Sequence, residues 1–466
     1  MGEPLTRDPR LWRVILACGL AMFLVYTDFF AVQVALPDMA EDLDTTVPDL
    51  QWVISGYMLS SGAFLIVGGR LADILGRKTW LIIGVSIFVL TSLLGGLAVS
   101  AEMLIIMRIV QGFGAAVIMP VATAVVTNAF PAEMVQRAIG TVLGVAAAGQ
   151  ALGPLIGGVF TELFSWRWVL WLNVPVGLLV LVLLISSVNQ SFDESAGRRI
   201  DWLGLGLVIV GIGVFTYAID EASNWGWTSA QTWGMLLGGL AVLAGFVWWQ
   251  LRCRAPLLDM EFFRNREFSV ITAAGAVGNM ATVVVIFLSV IFLQTVHGYS
   301  AITAAFAFLI LSTGLTTSAQ LAGRLGAFEP WRVMTLALFV GGLSAILMGV
   351  FTFSVPLFLV VSLFAGLGLG MTWAYANVVT QSLVPPAKAG AASGVVLTIL
   401  IGLGGVATAV AASITASGGQ ESQASVLGYV LMGFGALCLV AAPFVVWQGR
   451  SRPELFHEDI EVLPPQ

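Results

Sequence analysis

The chain is short of charge, cysteine and histidine. Only 10% of its 466 residues are Asp, Glu, Lys or Arg, against about a quarter in a water-soluble domain. A folded soluble chain needs a charged surface, so soluble enzymes, nucleic-acid readers and disordered chains are excluded, and no nucleic-acid partner is expected. The three cysteines, Cys18, Cys253 and Cys438, stand far apart and form no CxxC pair. That leaves neither a disulfide framework nor a cysteine metal site. The two histidines, His297 and His457, fall in an outer loop and the C-terminal tail. No cluster of His, Cys and carboxylates is legible, so neither a metal centre nor a catalytic site is expected. Lysine is scarce as well: Lys78 and Lys388 stand against eighteen arginines. With abundant Ala, Gly and Val, that bias fits a high-GC bacterial gene and an inner-membrane protein. The N-terminal apolar run is too long for a cleavable signal, and no small-residue site closes it.

What is present is apolar length. Hydrophobic residues make up 58% of the chain and the mean hydropathy is +0.96. A membrane-spanning helix needs roughly 20 residues. Apolar runs separate at charged and Pro/Gly clusters into 11–37, 50–70, 79–99, 102–128, 138–160, 168–188, 201–220, 231–250, 268–293, 300–323, 332–352, 355–381, 389–416 and 425–448. These fourteen runs predict an all-α polytopic membrane protein with both termini on one side. Basic residues favour the cytoplasmic side of short loops. With the termini inside, eighteen of the 20 basic residues fall there, including Arg10, Arg13, Arg77, Lys78, Arg198, Arg199, Arg264, Arg332 and Arg450. Only Arg167 lies outside, and only Arg108 lies within a span. The first outer loop carries Asp38, Glu41, Asp42, Asp44 and Asp49 and no base.

A weak repeat runs through the chain at an offset of 254 residues. Gly69-Arg70-Leu71 recurs as Gly323-Arg324-Leu325, and Gly112-Phe113-Gly114 as Gly366-Leu367-Gly368. Pro131 recurs as Pro385, and Ala138 and Gly140 as Ala392 and Gly394. The offset equals eight helices. We therefore expect six helices in 1–190, two inserted helices with their linkers in 191–262, six more in 263–450, and a cytoplasmic tail at 451–466. Parallel six-helix halves are a transporter repeat type, with substrate between the halves near the midplane.

Chemistry inside the hydrocarbon is sparse. A charge there costs at least about 2.5 kcal/mol and marks function. Asp28 is the one carboxylate deep in a span, and Arg108 the one deep base. Asp28 lies about 13 Å below the outer end of helix 1, and Arg108 about 9 Å into helix 4. They share a depth and pair if their helices are neighbours. Burial disfavours the charged carboxylate while a guanidinium favours it. A group held between these two influences takes up and releases protons. A purely structural pair locking helix 1 to helix 4 is the alternative. Gln111 lies one turn from Arg108 on the same face. Tyr26, Phe29, Phe30 and Gln33 flank Asp28, and Trp373 and Asn377 share a face of helix 12. These outline an aromatic, weakly polar cavity, with helix packing as the plainer reading of each ring.

Two glycine-rich stretches complete the pattern. In the turn Gly69 to Lys78, Asp73 and Arg77 are spaced to pair on a helical turn, or Asp73 caps another helix. Gly76 and Lys78 belong to the same turn. In helix 5, Gly149, Gly153, Gly157 and Gly158 allow close helix approach, and Pro154 bends the axis.

Taken in order, these motifs resemble the fourteen-spanner drug:proton antiporter branch of the major facilitator superfamily. The Gly69–Lys78 run is similar to that superfamily's signature loop. Arg108-Ile109-Val110-Gln111-Gly112-Phe113-Gly114 looks like its helix-4 motif, and Gly153-Pro154-Leu155-Ile156-Gly157-Gly158 its helix-5 antiporter motif. Trp166-Arg167-Trp168-Val169-Leu170-Trp171-Leu172-Asn173-Val174-Pro175-Val176-Gly177 resembles a run typical of the branch, as does Asp28 with Val34-Ala35-Leu36-Pro37. The resemblance implies the major facilitator fold, proton coupling through Asp28 and Arg108, and export of hydrophobic or amphipathic small molecules by alternating access. It implies no cofactor beyond the proton gradient, a bilayer setting, and a monomer. It also implies that Asp73 steadies the outward-open state through contacts to helix 11, whose start lies near Arg332. One departure stands out. Phe29, Phe30 and Gln33 replace the small polar residues and Asn usual after the helix-1 Asp. A dedicated exporter of one endogenous metabolite is the alternative function. A non-transporting membrane sensor is a more distant one.

Overall fold

The computed structural model describes residues 9–47, 49–192, 201–254, 256–258, 260–325, 328–384, 389–416 and 423–450. Among them every regular element is helical, and fourteen helices are long and apolar enough to cross a membrane. They are α1 (Pro9–Asp42), α2 (Trp52–Leu75), α3 (Arg77–Gly96), α4 (Ala101–Ala129), α5 (Ala132–Leu163), α6 (Arg167–Ser187), α7 (Trp202–Asp220), α8 (Ala230–Gln250), α9 (Arg266–Ile291), α10 (Ala301–Arg324), α11 (Pro330–Val350), α12 (Val355–Ser382), α13 (Ala389–Ala416) and α14 (Gln423–Arg450). Each apolar run from the sequence becomes one of these. The helix is the outcome because hydrocarbon offers the backbone no other hydrogen-bond partner. Ends are closed by side chains: Ser100 caps α4 and Ser300 caps α10. Asn265 caps α9 by accepting from Glu267 and Phe268.

Two local differences from the sequence reading have clear causes. First, α1 runs through Pro37 to Asp42 rather than stopping at the proline. The extra turns bring Asp42 to Arg167 and to the Trp166 indole, which donates to it at 3.1 Å. Second, α6 is broken at Leu172, with helical segments Arg167–Trp171 and Asn173–Ser187. Pro175 has no N–H to give the Trp171 carbonyl and crowds it, so the helix breaks there. Asn173 begins the second segment. The basic pair Arg198 and Arg199, the repeat position Pro385, Lys388 and the tail 451–466 lie outside the described residues.

The helices form two six-membered groups with one packing plan. In the first, α1 lies on α5 and α6, and α4 on α2 and α3. In the second, α9 lies on α13 and α14, and α12 on α10 and α11. The repeat is visible at single positions. A Cβ on Gly112 would sit 2.5 Å from the Tyr57 carbonyl, and one on Gly366 would sit 2.3 Å from the Leu311 carbonyl. Both residues of the pair shift by the same 254 positions, so one backbone contact is used twice.

The groups meet along two seams, α2 against α13 and α5 against α10. On the face away from the termini, Gln294 donates to the Val34 carbonyl at 2.8 Å, and Glu162 accepts from the Ile302 amide at 2.8 Å. A Cβ on Gly158 would lie 2.5 Å from the Ala301 carbonyl. These contacts close that face. The inserted helices α7 and α8 pack on each other, and α7 lies over α13 and α2. Ser413 on α13 donates to the Ile219 carbonyl at 2.7 Å. At the opposite end of the pair the buried Asp201 accepts from Trp249 Nε1 and Gln250 Nε2, each at 2.8 Å. Gln250 in turn accepts from the Leu258 amide at 3.2 Å, tying the pair to the linker before α9.

Candidate functional site: a buried ion pair between α1 and α4

The paired-depth expectation holds in the geometry. Arg108 Nη1 meets Asp28 Oδ2 in a direct salt bridge, and both residues are about 1% exposed. The guanidinium is held from other directions too. Its Nε donates to the Val53 carbonyl at 3.0 Å and its Nη1 to Gln111 Oε1 at 2.6 Å. It also stands 4.3 Å from the centroid of the Tyr57 ring, an arrangement that attracts a cation to the ring face. Arg108 thus has several supports besides the carboxylate.

Asp28 gathers donors on its second oxygen. Gln111 Nε2 donates to Oδ1 at 3.2 Å and Asn173 Nδ2 at 2.7 Å. Both amides also donate to Ser92 Oγ, at 2.7 and 3.2 Å. The Gln111 amide orientation follows from its neighbours: Oε1 must face the guanidinium, so Nε2 must face the carboxylate and Ser92. Residues of α1, α2, α3, α4 and α6 therefore meet around one buried ion pair. Among the described residues the pair has no net charge, which is how two ions are tolerated in a low-dielectric interior. Arg108 Nη2 and Tyr57 Oη make no hydrogen bond there.

Sequence reasoning named Asp28, Arg108 and Gln111 but missed Ser92, Asn173 and Tyr57. The available signal was Asn173, an amide two residues before a proline in an apolar run. A polar group buried there is costly unless bonded.

The flanking residues divide. Phe29 packs edge-on to Phe30 with centroids 5.2 Å apart, and stacks on Tyr57 at 6.1 Å. Phe30 reaches Phe308 of α10 at 6.4 Å, so the aromatic cluster spans both groups. Tyr26 is partly buried against the core. Gln33 spends its amide on the Phe29 carbonyl at 3.3 Å. Trp373 and Asn377 do lie on one face, with Asn377 donating to the Trp373 carbonyl at 2.9 Å. Among the described residues no hydrogen bond or ring contact joins them to the Asp28 cluster.

The glycine motifs have specific neighbours. Gly149, Gly153 and Gly157 form a stripe against α1. A Cβ there would sit 2.7 Å from the Phe23 carbonyl, 2.8 Å from Phe30 Cβ and 2.5 Å from the Ala31 carbonyl. Asp28 lies on the length of α1 that this stripe grips, with Pro154 in the same turns of α5. In the turn between α2 and α3, Gly76 has φ +107°, which favours glycine. Gly69 packs on Pro120. Asp73 takes the first of its two expected roles, accepting from Arg77 Nε at 2.8 Å. The start of α3 is capped instead by Gln190, whose Oε1 accepts from the Lys78 amide at 3.0 Å. Lys78 Nζ donates to the Ile185 carbonyl at 2.9 Å. Among the described residues no hydrogen bond or ion pair links Asp73 to α11. Arg332 pairs within its own helix end with Glu329 at 2.7 Å.

Among the described residues, two six-helix groups of one packing plan hold one buried ion pair, in the first group. The Major Facilitator Superfamily profile matches residues 18–407, and the chain belongs to that superfamily. It is 34% identical over 388 residues to the "Multidrug resistance protein Stp" of Mycobacterium tuberculosis, covering 82% of this chain and 71% of that protein. It is 30% identical over 314 residues to the "Tetracenomycin C resistance and export protein" of Streptomyces glaucescens, covering 67% of this chain and 58% of that one. The fold is similar to that of a peptide transporter POT solved with sulfate, with TM-score 0.71, 15% identity and 97% of each chain covered.

Proposed function

We propose that this protein is a proton-coupled exporter of hydrophobic or amphipathic small molecules in the bacterial inner membrane, with both termini cytoplasmic. The observation that carries the reading is the Asp28–Arg108 pair, buried where α1, α4 and α6 converge. The relatives named for multidrug resistance and antibiotic export support the same class of cargo. The two six-helix groups rock about the central space, and Asp28 alternates between proton and substrate-competent states. Protonation removes the carboxylate charge and loosens one of the two bonds of Arg108 Nη1, while Val53, Gln111 and Tyr57 keep the guanidinium in place. No cofactor takes part, no bond is made or broken, and a monomer suffices.

One deep carboxylate gives one proton per cycle. Exchange is then electroneutral for a monovalent cation and electrogenic for a neutral substrate. The test is efflux of dyes and antibiotics from cells stripped of their own exporters, comparing wild type with Asp28→Asn at matched membrane levels. Loss of efflux in the variant is expected; undiminished efflux would overturn the role of Asp28. Voltage independence with a neutral substrate would overturn the one-proton scheme.

A second reading has an observation of its own. Phe29, Phe30, Tyr57 and Phe308 pack into one aromatic cluster beside the carboxylate. Such walls suit one aromatic or polycyclic metabolite better than a range of cations. Extrusion of a single compound class across a wide panel favours this dedicated exporter.

A further inference from the structure

The branch-typical run from Trp166 to Gly177 contains the break in α6, and the first residue after the break points back into the ion-pair site. Asn173 is about 2% exposed and Ser92 is fully buried. The Asn173 amide donates to Asp28 Oδ1 at 2.7 Å and to Ser92 Oγ at 3.2 Å. The same serine oxygen accepts from Gln111 at 2.7 Å. Ser92 therefore acts as an anchor that holds two amides with their N–H groups turned toward the carboxylate. Arg108 takes the other carboxylate oxygen.

Three donors converge on one carboxylate. They differ in kind. Arg108 brings charge and has further partners. Gln111 is tied to the guanidinium. Asn173 is a neutral donor on a separate helix. Its position is set by the proline-induced break at Leu172, without which this stretch of α6 would keep an ordinary helical register.

From this geometry we propose that Asn173 is a positioning residue that sets the proton affinity of Asp28. This rests on the reading of Asp28 as the proton site. The other ionisable groups near Asp28 are Arg108 from α4, Tyr57 from α2 and Tyr26 on α1 itself. Helices α5, α9 and α10 also pack on α1. Among the described residues they bring no ion pair to Asp28: Glu162 on α5 bonds Ile302, and Glu267 stands in the first turn of α9. Among the described residues Asn173 is thus the one neutral donor on the carboxylate that is independent of Arg108. Removing it leaves the ion pair formed but less favourable to the charged acid. Proton affinity rises, and the midpoint for protonation moves to higher pH. The sign is opposite to what a new positive neighbour would cause.

The experiment needs no known substrate. Purified full-length protein is titrated by infrared difference spectroscopy, following the protonated-carboxyl stretch that disappears in Asp28→Asn. That subtraction identifies the Asp28 band. In Asn173→Ala the midpoint is expected to rise by about one pH unit, roughly a tenfold gain in proton affinity, the scale of one charge-assisted hydrogen bond. Asn173→Ser keeps a donor with shorter reach and gives an intermediate midpoint. Ser92→Ala releases the anchor and shifts it the same way by less. If the alanine variant does not fold, the serine variants carry the test. An unmoved midpoint, with the Asp28 band present in wild type, overturns the role of Asn173 alone. If Asp28→Asn removes no titrating band, the assignment of the proton site fails instead.

Discussion

Asp28 and Arg108 cancel each other's charge but do not depend on each other equally. Arg108 keeps the Val53 carbonyl, Gln111 and the Tyr57 ring when Asp28 is neutral. Asp28 without Arg108 keeps only two amide donors in an apolar interior. Breaking a buried pair from one side costs about 3–5 kcal/mol. Arg108→Ala is therefore expected to lower the melting temperature of the purified protein more than Asp28→Asn does. The double variant Asp28→Asn/Arg108→Gln should recover much of the loss without restoring coupled transport. Thermal melts beside efflux assays decide this; equal melting temperatures for the two single variants would refute the asymmetry. Arg108→Lys should fail as well, because an ammonium lacks the fork that reaches Asp28, Gln111 and Val53 together. At this scale the ion pair was legible in the sequence, since a lone acid and a lone base at matched depth in hydrocarbon have few other solutions. Ser92 and Asn173 were not. Serine and asparagine are common in membrane helices, and only the tertiary arrangement turns these two toward Asp28.

Among the elements, α5 makes close backbone contacts along its length. Its glycine stripe brings the α1 backbone too close for any side chain. Gly157→Ala should destabilise the protein by about 1–3 kcal/mol through overpacking. Gly140→Ala meets open space and should be neutral or slightly stabilising, since Ala is the better helix former. Gly158 differs in facing α10 across a seam. Adding a methyl there should push the halves apart on the closed face. A cysteine at Val34, which is 1% exposed, should then react faster with a membrane-impermeant maleimide, in a background lacking Cys18, Cys253 and Cys438. An unchanged labelling rate would show that this contact does not hold the face shut. All fourteen helices were readable from apolar length alone. Their ends were less so: nothing local to Pro37 says that α1 continues to Asp42. The partner that rewards the continuation, Arg167, lies far along the chain.

The whole molecule moves, on this reading, by changing the two seams while each group stays intact. Leu59 on α2 faces Gly405 on α13, where a Cβ would lie 3.0 Å from Leu59 Cγ. A disulfide between Leu59→Cys and Gly405→Cys should arrest transport, reversibly on reduction. Helices α7 and α8 are fastened to α13 by Ser413 and to the α9 linker by Gln250. They should travel with the second group. A cross-link between Ile219→Cys and Ser413→Cys should leave transport intact, and its failure to do so would mean that the inserted pair slides on α13. The repeat told the sequence reader that two helices were extra, but not where they would sit. Their packing also makes the carrier one-sided within the plane of the bilayer. The α2–α13 seam is roofed by α7, whereas among the described residues no helix covers the α5–α10 seam. To a greasy molecule dissolved among the lipids the two seams are therefore unlike: one lies behind a further helix, and the other, though closely packed, faces the hydrocarbon directly.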